Sequence, residues 1–284
     1  MNSNPLIQAE ELASYLFDPK LVIIDARFYL GDPQQGKREF CIDHIPGARY
    51  VSLDRDLSSP RTQQTGRHPW PFHDKFGQKI QQLGIEPSST VVVYDSSDGA
   101  MASRFWMLMV WIGFDYCKVL DGGYAHYKKL NLPITGQISN AIPSSISLPD
   151  LVRHDLILTT QDIEKIYTST DYLLLDARSP DRFRGENETI DPVAGHIPGA
   201  RNRHYLLNLS PIGLFKTPDQ LRNEFNPLVS QYQPDHIISY CGSGVTACHN
   251  ILAMRIAGYP FPRLYAGAWS EWIRNPHHPI ETNF

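Results

Sequence analysis

One feature constrains the fold of this chain more than any other: it contains itself twice. Val22-Ile23-Ile24-Asp25-Ala26-Arg27 returns as Leu173-Leu174-Leu175-Asp176-Ala177-Arg178, and His44-Ile45-Pro46-Gly47-Ala48-Arg49 returns unchanged as His196-Ile197-Pro198-Gly199-Ala200-Arg201. Val91-Val92-Val93-Tyr94-Asp95 matches Ile237-Ile238-Ser239-Tyr240-Cys241, and Gly122, Tyr124 and Tyr127 match Gly267, Trp269 and Trp272. The order is the same in both halves, and a repeat of this length is a domain duplication rather than a solenoid unit. The joint is expected in Gly136–Asp150, a stretch of Ser, Pro, Asn and Gly with little periodicity. This divides the chain into a first domain over 1–138, a linker over 139–150 and a second domain over 151–284. In each half short apolar runs alternate with helical stretches: strands over Leu21–Asp25 and Val91–Asp95, helices over Lys75–Leu83 and Ser103–Ile112, a short strand at Val119–Leu120. That alternation predicts an α/β fold with a mostly parallel sheet flanked by helices.

Strand ends carry ligand sites in such sheets, and Asp25, Asp95, Asp176 and Cys241 all fall at such ends. Only Cys241 is a good soft nucleophile. An apolar, β-branched run delivers it into the small residues Gly242-Ser243-Gly244-Val245-Thr246, and a helix is expected from Ala247 to Gly258. A glycine-rich turn at a helix N-terminus gathers backbone N–H groups and a partial positive charge at the sulfur, which favours thiolate over thiol. A merely buried cysteine needs no such cradle. Gly242 to Ala247 also fits the dinucleotide fingerprint G-x-G-x-x-G/A, but too little chain follows it to complete a doubly wound sheet. The loop has no arginine to close a phosphate cradle, so phosphate is a poor substrate. Asp95 stands where Cys241 stands in the other half, so the chemistry is expected in the second domain. Cys241 is expected to face an interdomain cleft.

The 284 residues are 42% hydrophobic and 20% charged, the composition of a soluble globular protein. A net charge of −4 without a Lys/Arg run argues against nucleic acid. The longest apolar run, Phe105–Phe114, is too short to span a bilayer and reads as a buried helix. No signal peptide is visible at the N-terminus. Four cysteines, Cys41, Cys117, Cys241 and Cys248, show neither zinc spacing nor a disulfide framework. A reducing cytoplasm fits, and neither a metal nor a cofactor is expected. Cys248, two helical turns after Cys241, reads as a buried helix residue.

Together, the Asp-Ala-Arg strand ends, the His-Ile-Pro-Gly-Ala turns, the cysteine loop and Trp269-Ser270-Glu271-Trp272 resemble a tandem-domain rhodanese-type sulfurtransferase, over nearly the whole chain. The resemblance implies two rhodanese-like α/β domains and a cysteine alternating between thiolate and persulfide. Its thiosulfate users typically carry Cys-Arg-Lys-Gly-Val-Thr and its 3-mercaptopyruvate users Cys-Gly-Ser-Gly-Val-Thr; Cys241–Thr246 looks like the second. Thiosulfate is a dianion that a cationic loop would help to hold, and this loop offers neutral donors only. The resemblance also implies Arg182, in Asp181-Arg182-Phe183-Arg184-Gly185, as the arginine for the substrate carboxylate; a planar fork suits that task. Arg184 is a weaker candidate of the same kind. The 3-mercaptopyruvate branch also has a second arginine six residues before the Gly-His-Ile-Pro-Gly turn; counted back from Gly195, that place holds Thr189 here. A relay of Asp54, His68 and Ser243 is implied as well, provided that the fold brings His68 to Ser243. The expected partners are a small sulfur donor and an acceptor such as a thiol, cyanide or a thioredoxin-like protein, with neither nucleic acid nor membrane. Two alternatives stand beside 3-mercaptopyruvate transfer: thiosulfate as donor, and a non-catalytic interaction module with an inert Cys241.

Overall fold

The computed structural model describes residues 4–146 and 151–282. The described parts of Met1–Ser59, Pro71–Arg153 and Pro211–Phe215 make one compact unit, and those of Pro60–Trp70, His154–Ser210 and Lys216–Phe284 make the other. The expected linker, 139–150, has no helix or strand over 139–146, and its last four residues lie outside the described ones. Two short segments depart from a simple split at the linker: 60–70 belongs with the second unit, and 211–215 with the first.

The first unit holds strands β1 (Leu6–Ile7), β2 (Leu21–Asp25), β3 (Arg49–Tyr50), β4 (Thr90–Tyr94) and β5 (Cys117–Leu120), in the order β1-β5-β4-β2-β3. The second holds β6 (Ile157–Leu158), β7 (Leu173–Asp176), β8 (Arg201–Asn202), β9 (Ile237–Tyr240) and β10 (Arg263–Tyr265), in the order β6-β10-β9-β7-β8. Every pairing among these strands is parallel, and the isolated bridges His44–Thr135 and His196–Glu281 are antiparallel. Five-stranded parallel sheets of identical order are what the duplicated sequence requires.

The central strands are buried along their length rather than alternating, because helices cover both faces of the sheet; the one polar residue within β9, Ser239, is satisfied by donating to the Ala247 carbonyl at 3.1 Å. β4 is buried from Val91 to Tyr94 and β9 throughout. The helix after each central strand is correspondingly buried on nearly every side: all of Ala100–Trp111 except Met101 is buried, and so is Ala247–Met254 within Thr246–Ile256, polar Ser103, Arg104, His249 and Asn250 included. Trp269 and Trp272 seal one side of the second sheet with Ile238, Tyr240 and Tyr265. The repeated histidines hold turns. His44 Nδ1 lies 2.7 Å from the Phe40 carbonyl and stacks on that ring, and His196 repeats this against Phe183. Among the described residues, no helix is long and apolar enough to cross a membrane.

Candidate active site

β9 is the middle strand of its sheet and ends one residue before Cys241, which is only 2% exposed. From there the chain turns through Gly242–Val245 into the helix Thr246–Ile256. Gly244 takes φ +74°, a left-handed conformation that a side chain would strain. The Trp269-Ser270 segment braces the loop: the Trp269 N–H donates to the Cys241 carbonyl and the Ser270 N–H to the Gly242 carbonyl, both at 2.9 Å. The Cys248 thiol, fully buried, donates to the Gly244 carbonyl at 3.2 Å. Cys248 thus ties the loop to the helix.

The equivalent position in the first unit shows what such a loop is shaped to hold. Asp95 Oδ1 accepts from the N–H groups of Ser97 (3.2 Å) and Gly99 (3.0 Å), and Oδ2 from those of Met101 (2.9 Å) and Ala102 (3.1 Å). Burial, reinforced by Asp98, pushes this carboxyl up to about 7, against the pull of the N–H groups. The loop after β4 is therefore an anion cradle filled from within by the Asp95 side chain, which stands where the other unit has Cys241.

Segment 60–70 contributes side chains to the second unit. The Gly66 N–H donates to Glu271 Oε2 (3.2 Å), the Arg67 N–H to Ser270 Oγ (3.0 Å) and Arg274 Nε to the Thr65 carbonyl (3.2 Å). Gly66 has to be glycine, since a Cβ there would lie 2.7 Å from the Gly267 carbonyl oxygen. So anchored, the segment sets His68 Nδ1 2.8 Å from Ser243 Oγ, with both residues buried. Either the hydroxyl or the ring can donate, depending on the tautomer. Asp54 lies exposed on the short helix Leu53–Asp56 of the first unit.

Six side chains of alternating sign run through the second unit toward the loop. Asp176 Oδ2 accepts from Arg178 Nη2 at 2.7 Å, and Arg178 Nη1 faces Glu188 Oε2 at 3.4 Å. Glu188 takes three hydrogen bonds from Arg182, at 3.1, 3.0 and 2.8 Å. Arg182 Nη2 reaches Asp191 Oδ2 at 3.2 Å, and Asp191 Oδ1 pairs with Arg67. Burial works to raise the Glu188 carboxyl, but the Arg182 hydrogen bonds and the Asp191 and Ile190 N–H groups outweigh it and hold it low. Asp191 moves the other way: burial raises it, and the neighbouring Glu188 adds to that against the pull of Arg67 and Arg182.

The Arg182 fork, expected to be open for a substrate carboxylate, is thus already engaged by Glu188 and Asp191. Thr189, where a second arginine was expected, is exposed. The second guanidinium at the loop is Arg67, which sequence reasoning passed over. Its only sequence signal was adjacency to His68 in Gly66-Arg67-His68-Pro69. A Cβ on Gly242 would lie 2.7 Å from Arg67 Nη2, 3.6 Å from Arg182 Nη2 and 3.7 Å from Asp191 Oδ2. Gly242 is glycine because a guanidinium passes over it. Arg184 pairs instead with Glu186 at the surface, at 2.7 Å. Val245 is buried at the turn, and Thr246 opens the helix.

A duplicated five-stranded parallel sheet with a cysteine loop after the middle strand of one copy defines the rhodanese class of α/β proteins. The model of the rhodanese-like domain matches residues 8–130 and 159–275. A probable 3-mercaptopyruvate sulfurtransferase of Pseudomonas aeruginosa is 44% identical over 285 residues, spanning 99% of this chain and 99% of its own. A putative thiosulfate sulfurtransferase of Mycobacterium tuberculosis is 36% identical, spanning 97% of this chain and 96% of its own. The SseA structure from Escherichia coli, presented as a rhodanese-fold 3-mercaptopyruvate sulfotransferase, superposes with a TM-score of 0.81 at 29% identity, over 95% of this chain and 100% of that one. The chain belongs to the rhodanese-like family, and within it is a sulfurtransferase.

Proposed function

We propose that this enzyme moves a sulfane sulfur from 3-mercaptopyruvate through a persulfide on Cys241 to a thiol acceptor. The observation that carries the reading is the convergence on one buried cysteine loop of a hydroxyl–imidazole pair, Ser243 and His68, and two guanidiniums, Arg67 and Arg182. The guanidiniums suit the donor's carboxylate. The Cys241 thiolate attacks the donor sulfur, and the C–S bond breaks with its electron pair leaving on the three-carbon fragment as an enolate. The proton of the donor thiol passes through Ser243 and His68 to the methylene carbon, so that pyruvate leaves and Cys241 carries a persulfide anion. An acceptor thiol then takes the outer sulfur, giving its own persulfide and regenerating the thiolate; cyanide gives thiocyanate in the same way. Carbon protonation is a task for a hydroxyl–imidazole pair, whereas thiosulfate would leave as sulfite and need none.

Thiosulfate is the second reading, favoured by the two cationic side chains beside the loop and by the name of the mycobacterial relative. A small thiol, cyanide or a thioredoxin-like protein fits as acceptor, in a reducing compartment such as the cytoplasm that keeps the four free cysteines as thiols. The test is intact mass after donor addition, followed by kcat/KM for both donors with one acceptor. We expect one added sulfur, lost again to acceptor and absent in Cys241→Ser, with 3-mercaptopyruvate the better donor. A protein that gains no sulfur from either donor is an interaction module instead, and a higher kcat/KM for thiosulfate reverses the donor assignment.

A further inference from the structure

We propose that Arg67 is the second donor-binding guanidinium of this site, and that Asp191 is an internal carboxylate which holds the donor's place until the donor displaces it. This rests on the sulfur-transfer reading above and adds to it an internal competitor that sets the site's specificity.

Arg67 comes from segment 60–70, over a hundred positions away in sequence from the other charged groups of the site, and is placed by backbone bonds to Ser270 and through Gly66 to Glu271. Its Nη1 is engaged by Asp191 Oδ1 and its Nη2 lies over Gly242. Its Nε is buried and has no hydrogen-bond partner among the described residues. A guanidinium carries five N–H donors in a planar fork. A buried donor left unpaired in a folded protein is uncommon and calls for an explanation. Here the explanation is a ligand: the fork is presented beside the nucleophile with bonding capacity unspent.

Asp191 shows what that ligand resembles. One of its oxygens meets Arg67 and the other meets Arg182. A carboxylate bridging two guanidiniums is how a small 2-oxo acid would be held, and its carboxylate would compete for the same nitrogens. The exchange is feasible because the two acidic residues differ. Glu188 holds Arg182 by three bonds and fixes that fork in position. Asp191 contributes a single bond there, at 3.2 Å, and burial beside Glu188 already disfavours its charge. When Asp191 withdraws or takes up a proton, Arg67 and one edge of Arg182 become available together. Of the two guanidiniums and two carboxylates, one negative charge is removed as the donor's arrives. The site so built takes one carboxylate-bearing monoanion at a time.

The opposite effects of two substitutions separate this from a structural role. Arg67→Met removes a binding charge, and Asp191→Asn removes a competing one. The probe pair is iodoacetate and its neutral twin iodoacetamide, with alkylation of Cys241 followed by peptide mass, so that reaction at the exposed Cys41 does not interfere. The thiolate fraction enters both rates alike, so their ratio reports recognition of the carboxylate. Losing one charge-assisted contact is expected to lower the iodoacetate-to-iodoacetamide ratio about tenfold to a hundredfold in Arg67→Met, with Arg67→Lys in between. Asp191→Asn is expected to raise the ratio several-fold and to lower KM for 3-mercaptopyruvate. A ratio within about twofold of the parent's in folded Arg67→Met overturns the proposal. If Arg67→Met does not fold, Asp191→Asn decides: a rise supports the proposal, and a fall or no change overturns it. Alkylation needs no turnover, so a responsive ratio in a protein that forms no persulfide would sink the sulfur-transfer reading and leave the anion clamp standing.

Discussion

Replacing Arg182 by Met leaves Glu188 and Asp191 in place and takes away the cation between them. Glu188 and Asp191 side chains are only 2% and 3% exposed, so the loss leaves two nearly buried carboxylates short of a partner. Glu188 loses three hydrogen bonds and Asp191 one. Breaking a buried pair by removing one member costs about 3–5 kcal/mol, chiefly because the surviving charge is stranded. Arg178 still faces Glu188 at 3.4 Å and Arg67 still engages Asp191, so the low end, about 3 kcal/mol, is expected. The assay is hydrogen exchange of the Ile237–Tyr240 strand at the centre of the second sheet, because one melting temperature for a chain of two units is ill defined. Exchange there should quicken about a hundredfold, the equivalent of that energy. The informative partner is Arg182→Met with Glu188→Gln, in which the stranded charge is gone. It should recover at least half of the lost protection without recovering kcat/KM for 3-mercaptopyruvate. If the single and double variants exchange alike, Glu188 is not the stranded charge and the reasoning fails. Full donor turnover in Arg182→Met would remove the carboxylate role from this residue.

Two further outcomes follow from the same geometry. Ser243→Ala and His68→Gln should each slow persulfide formation from 3-mercaptopyruvate about a hundredfold, the usual scale of general acid–base assistance, and slow it far less from thiosulfate, whose sulfite needs no proton on carbon; rapid-quench mass measurement gives both rates, and equal losses with the two donors would contradict the proton-relay role. Asp95 makes the first unit pH-sensitive. Its carboxyl is raised from 3.8 to about 7, so the folded state binds a proton that the unfolded chain has released, and stability falls as pH rises through that interval. The full penalty, on the order of 4 kcal/mol, is present above about pH 7. Asp95→Asn should flatten this dependence in the exchange of the Thr90–Tyr94 strand once intrinsic exchange rates are corrected, whereas an unchanged slope would refute it.

Two like sheets, and a cysteine at the end of the middle strand of one of them, were legible in the sequence. Both follow from local pattern: repeated apolar runs such as Val91–Val93 and Ile237–Ile238 become strands buried on both faces, and a cysteine after one of them, before small residues and an apolar helix, sits at a strand end. His44 and His196 were legible as turn residues because the same turn recurs in the half that has Asp95 in place of Cys241. The expectation of one arginine in an open site was altered by the fold. Arg182 is bound to Glu188 and Asp191, Thr189 is exposed, and the second cation arrives from segment 60–70. His68 meets Ser243 across 175 positions of sequence, and Arg67 meets Asp191 across 124. Such meetings leave no periodic trace, because they depend on where a segment without helix or strand is anchored by its backbone rather than on the residues beside it. Pattern and propensity act over a few residues and decide which elements form; the pairing of charges in a buried site is decided by packing, and only the tertiary structure holds it.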